Sequence, residues 1–212
     1  MKFALTFILF CWLLVRSEAF GPTFGTGLAG VPICPKATTI LSHTLKTSET
    51  HGVLHHFWTT GAQYKIDRMW VEYYIDGEET PSISFQPSMM CGLGFPTEVS
   101  HDFEYSAGGL CGKTAPVGGW HNIFPIPFYK SVNVTVRSDP SDGSSCFNGY
   151  LNVRGTVELP LVVPGSGIPL PLGSRLILQS NPLALRQPLE YVVLASLPSG
   201  QGVIFETSCP SP

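Results

Sequence analysis

Charge is scarce in this chain. Of its 212 residues only 13% are charged, with 12 Lys plus Arg set against 15 Asp plus Glu and a formal net charge of −3. Phosphate recognition needs clustered Lys and Arg, and no basic stripe is present, so nucleic acid is excluded as a partner. Low charge beside 43% hydrophobic residues also excludes a disordered chain. No stretch has the periodicity of an amphipathic helix, and no repeat of fixed length is visible. Cys-x-x-Cys pairs and tight Cys/His spacings are missing, so neither a zinc site nor another metal or cofactor is expected. The Gly-x-Ser-x-Gly nucleophile elbow is missing too, since the nearest string, PGSGIP at 164–169, has the wrong spacing. Beyond the N-terminus no apolar run is long enough to cross a membrane.

What the chain does have is turn formers and an export signature. Gly 22 and Pro 19 make up about a fifth of the residues, which suits many short elements joined by turns. Residues 1–19 read as a cleaved signal peptide: Lys2 is the positive start, Phe3 to Val15 the apolar run, and Ser17 and Ala19 the small residues before the cut. That run is shorter than the roughly 20 residues of a membrane-spanning helix. A secreted, extracellular protein follows, and Cys11 leaves with the leader. The remaining Cys34, Cys91, Cys111, Cys146 and Cys209 should form disulfides in an oxidising compartment, with one left over. Cys91 and Cys111 bracket a glycine-rich loop and are expected to pair, and Cys34 and Cys209 are expected to staple the two ends. Asn133-Val134-Thr135 is an N-glycosylation sequon.

Along the chain, residues 20–51 read as an extended lead-in and 52–209 as one jelly-roll domain. VLHHFWTT at 53–60 is aromatic and β-branched, as strands prefer. In DRMWVEYYID at 67–76, Met69, Val71, Tyr73 and Ile75 fall on one face, and Arg68, Trp70, Glu72 and Tyr74 on the other. Asp76-Gly77 is a tight-turn dipeptide, followed by a strand with Ile83 and Phe85 two apart. SVNVTVRSD at 131–139 sends Val132, Val134 and Val136 inward and puts Asn133 on the solvent side. Further strands are expected at 121–128, 149–158, 175–180, 189–197 and 202–207. Short strands broken by turns about every ten residues predict an all-β sandwich, a single jelly roll.

Three groupings could hold chemistry. His55 and His56 stand beside Trp58, but neighbours on a strand point to opposite faces and cannot share one metal ion. Asp76, Glu78 and Glu79 supply the carboxylates glycoside hydrolysis would need, yet a solvated hairpin tip explains all three. The loop 91–119 and its flank bring His101, Asp102, Glu104, Tyr105, Trp120 and His121 close in sequence, and rings beside polar groups suit sugars.

The order HHFWTT, VEYYIDGEETPSI, NIFPIPFYKSVNVTV resembles the DUF2961 proteins, also called glycoside hydrolase family 172, in their first jelly-roll domain. The matched residues include His56, Trp58, Asp76, Glu78, Glu79, Phe124 and Phe128. The resemblance implies a jelly-roll fold, descent from enzymes acting on fructofuranosides or related glycans, and assembly as homo-oligomers, trimers above all, with sites between subunits. It also implies that the catalytic glutamates lie in a second jelly roll, in strings GEGDE and GTEDYF that do not occur here. The expected function is therefore glycan or extracellular-partner binding without catalysis, with no catalytic residue assigned. One rival is a short glycosidase using Glu78, Glu98, Asp102 or Glu104. Another is a structural component of an extracellular or mineralised matrix.

Overall fold

A computed structural model describes residues 21–91, 104–114, 119–142, 145–179 and 196. In chain order they form β1 (Thr23–Ile33), β2 (Thr38–Thr44), β3 (Gly52–Gly61), α1 (Gln63–Arg68), β4 (Trp70–Ile75), β5 (Ile83–Phe85), α2 (Pro87–Met90), β6 (Tyr105–Ala107), β7 (Cys111–Lys113), β8 (Trp120–Asn122), β9 (Ile126–Phe128), β10 (Ser131–Arg137) and β11 (Phe147–Val157). Two antiparallel sheets result. The larger runs β1-β11-β3-β8-β7-β6, with β9 also pairing to β3, and the smaller runs β2-β10-β4-β5. The fold is an all-β sandwich, as the sequence predicts.

Period-two alternation builds the core. Val132, Val134 and Val136 of β10 pair with Ile75, Tyr73 and Val71 of β4. All six side chains are buried, as are Ile83 and Phe85 of β5. They meet Leu54 and Phe57 of β3 and Leu151 and Val153 of β11 from the larger sheet. A slip of one residue would turn every one of these side chains to water, so burial itself holds the register.

Several boundaries differ from the sequence reading. The stretch read as a lead-in, 20–51, is in its described part, 21–51, not outside the sandwich. Instead, β1 pairs with β11 along almost its whole length, and β2 pairs with β10. Glycine-rich β1 has no apolar alternation of its own to reveal this. Its Phe24 ring lies against Gly155 of β11, where any added side-chain carbon would collide with it. Residues 67 and 68 close α1, so β4 begins at Trp70. Neither short helix was legible, because six and four residues are too few to show a helical period. Residues 175–179 form no strand. Arg175 turns to two carboxylates, Leu176 packs on the core, and the Gln179 amide holds the backbone of Ser196. The leader at 1–19, the strand expected at 202–207 and, apart from Ser196, the strand expected at 189–197 lie outside the described residues.

The Cys91–Cys111 bridge forms as expected. The Cys34–Cys209 pairing is corrected, because Cys34 bonds to Cys146. The cause is register: Ile33 pairs with Phe147 across β1 and β11, which sets the adjoining cysteines side by side. Cys209 lies outside the described residues. The two bridges close loops of very different size, with sequence separations of 112 and 20. On the chain-entropy model, replacing Cys34 and Cys146 together by Ala costs about 5 kcal/mol, against about 3 kcal/mol for Cys91 and Cys111. Urea unfolding of the two double variants should show that order.

Candidate functional site

The Asp76-Gly77 turn is a clasp. Both residues take positive φ, 56° and 88°, as a type I′ turn requires. Asp76 Oδ1 then accepts backbone N–H bonds from Tyr129, Lys130 and Ser131 at 2.7, 2.6 and 3.3 Å. Glu78 Oε2 accepts from the N–H of Ile75 and Ser82 at 2.9 and 3.2 Å. The Arg175 guanidinium joins the two, 3.1 Å from Asp76 Oδ2 and 3.5 Å from Glu78 Oε1. A solvated hairpin tip therefore describes Glu79 alone, which is exposed. The pocket beside the clasp, lined in part by Ile75, Glu78, Ser82 and Arg175, encloses about 200 Å³. That is below the roughly 300–1,000 Å³ of small-molecule sites, and its one lining carboxylate is already paired with arginine.

The loop grouping does not come together. Glu98, His101 and Asp102 lie outside the described residues; Glu104 is exposed, and Tyr105 begins β6. Trp120 is fully buried, with its indole N–H donated to the Asp67 carboxylate, which removes it from any ligand groove. Lys113 Nζ stands 4.0 Å from Asp67 Oδ2 and 5.5 Å from the Trp120 ring centre. The reason is register: Trp120 pairs with Thr59 and Lys113, whose side chains face the interior, and α1 brings a buried carboxylate there. Nothing in the sequence singles out Asp67, because its partners come from strands about fifty residues away.

His121, one residue on, faces outward and helps build a different surface. It pairs with Trp58 of β3, which is also opposite Asn152 of β11. His56 and Thr60 flank Trp58 on the same face, opposite Arg154 and Tyr150. Here the adjacent histidines break simple alternation: a bulge between the Arg154 and Gly155 pairings leaves His55 unpaired in the ladder, so both rings stay half-exposed. His55 Nε2 lies 3.0 Å from Thr156 Oγ1. Burial, then the positive charge of Arg154 and the neighbouring His55 and His121, lower the pKa of His56 and keep it neutral at neutral pH. Trp58 rests over Gly119, where a side chain would strike its indole. Tyr150 keeps 48% of its surface in water. The face thus offers two aromatic rings among imidazole, amide, hydroxyl and guanidinium groups.

The outer face of the smaller sheet has its own network. Glu72 is buried there, because β10 and its own strand surround it. It accepts from Arg137 Nε at 2.9 Å, Thr135 Oγ1 at 3.2 Å and the Tyr74 hydroxyl at 3.3 Å. The Arg137 guanidinium lies 5.2 Å from the Trp70 ring centre. Asn133 is half-exposed beside Tyr74. Of the remaining framework residues, Phe128 is fully buried and Phe124 packs against the core.

No curated protein matches the chain. Among solved structures, the infectious bursal disease virus VP2 subviral particle matches at 12% identity and a TM-score of 0.28, over 65% of this chain and 30% of the viral one. A TM-score of that size carries no argument about fold or function. The model of the GH172 first beta-sandwich domain matches residues 42–148, just over half of the chain and most of both sheets. By that match the chain belongs to the family of the GH172 first beta-sandwich domain.

Proposed function

We propose that this protein is an exported, non-catalytic relative of the family 172 glycosidases, and that it binds glycans on the outer face of its larger sheet. The observation that carries the reading is the row Asn152, Trp58 and His121, with Tyr150 diagonal to Trp58 and with His56 and Arg154 on the same face. Ring faces stack on the C–H patches of sugars while amide, imidazole and guanidinium groups meet hydroxyls. A sheet face suits an extended chain of sugars better than a single small molecule.

The carboxylates support the non-catalytic part. Glycoside hydrolysis needs two of them facing one scissile bond, about 5–9.5 Å apart. Asp76, Glu78, Glu72 and Asp67 instead accept backbone or side-chain donors, and each has a cationic neighbour. Two disulfides support export, since such bridges persist in oxidising compartments. Self-association, as trimers by family likeness, belongs to the same proposal and is read by light scattering of the purified protein.

On a glycan array, the purified protein should retain a subset of oligosaccharides, and Trp58→Ala should weaken retention about tenfold, the contribution of one stacked ring. Release of sugar from fructofuranosides, abolished by an amide replacement of one of the protein's own carboxylates, would overturn the reading. The acidic residues should act on stability instead. Asp76→Ala strands three backbone donors and a guanidinium and should cost about 2–4 kcal/mol, while Glu79→Ala stays within about 0.5 kcal/mol, both by urea unfolding.

A further inference from the structure

We infer that Asn133 carries an N-linked glycan whose first sugar lies on the Tyr74 ring and covers the outer face of the smaller sheet. The inference goes beyond ligand binding and rests only on the export part of the function proposed above. Three observations meet at this position. Asn133 opens the sequon Asn133-Val134-Thr135. Its amide oxygen is buried with no hydrogen-bond partner among the described residues, while the residue as a whole stays half-exposed. Directly across the ladder stand Tyr74 on one side and the small, exposed Ser42 on the other.

The attitude of Tyr74 supplies the platform. Its hydroxyl reaches Glu72, two residues back on the same strand, so the ring is drawn along the sheet. A ring so tied stays within reach of a group leaving the directly opposed Asn133, because opposed residues have Cβ atoms about 5 Å apart. Glu72 in turn is fixed by Thr135 and Arg137, so the network that orients Tyr74 includes the third residue of the sequon. Ser42 leaves room on the far side for the glycosidic linkage.

The modification balances as a group transfer from a lipid-pyrophosphate-linked oligosaccharide. Asn133 Nδ2 attacks the anomeric carbon, the C–N bond forms, the C–O bond to the pyrophosphate breaks, and the amide loses one proton as the lipid pyrophosphate departs. Transfer takes place on the extended chain before Thr135 is buried, and folding then lays the first sugar against Tyr74.

The test expresses the full chain, with its own N-terminal segment, in a eukaryotic cell. Mass spectrometry of protein from the medium should find Asn133 occupied, and Asn133→Gln should remove that mass. Melting should fall by roughly 2–4 °C in Asn133→Gln, the shift of one modest contact in a domain this size. That gap should persist in Tyr74→Phe, which keeps the ring, and vanish in Tyr74→Leu and Tyr74→Ala, which lack it. Bare Asn133 on protein in the medium overturns this inference alone. Protein held in the cytosol with Asn133 bare overturns export and this inference together. An undiminished gap in both ring-free variants overturns the stacking.

Discussion

The pairing of β4 with β10 is the constraint on which the other features depend. Three valines on one strand and Val71, Tyr73 and Ile75 on the other are buried together, so the two strands have one workable register. That register puts Glu72 opposite Thr135 and Trp70 opposite Arg137 on the reverse side. It also brings Asp76, just past the end of β4, under the backbone donors of Tyr129, Lys130 and Ser131. The outer network and the turn clasp are consequences of how the inner face packs.

Several carboxylates among the described residues act as ties between distant segments. Asp76 joins the β4 turn to the start of β10 and to Arg175, and Asp67 joins α1 to Trp120 and Lys113. Glu158 joins the end of β11 to Thr50 ahead of β3. The Thr50 backbone N–H lowers the Glu158 pKa most, with the Thr50 hydroxyl and His51 adding to it. A buried anion is tolerated only when donors and a cation replace its water, and a carboxylate so enclosed is poorly placed to trade protons with a substrate. On the outer face of the larger sheet, His56, Asn152 and Arg154 lie among the rings of Trp58 and Tyr150.

How much could be read in advance followed the range of the interactions. The inward face of β10 was legible because alternation is local, and the Asp76-Gly77 turn because its chemistry needs only two residues. The glycine-rich β1 was not, since its strand character comes from pairing with β11, more than a hundred residues on. Trp120 looked like a ligand platform and proved to be core, because its register beside Thr59, not its neighbours in the loop, aims the ring. The Cys34–Cys146 bridge was hidden for the same reason that β1 was.

Local pattern in the chain was enough for the all-β character, the inward faces of the central strands, the Cys91–Cys111 loop and the family to which the domain belongs. These follow from side-chain period, turn residues and short strings, all local in the chain. Strand pairing in three dimensions was needed to establish which carboxylates are bound as ties, which aromatic rings are buried, and that His121, Trp58 and Tyr150 share one face. Such outcomes depend on the lateral order of the strands, and antiparallel pairing joins residues whose separation along the chain carries no trace of their contact.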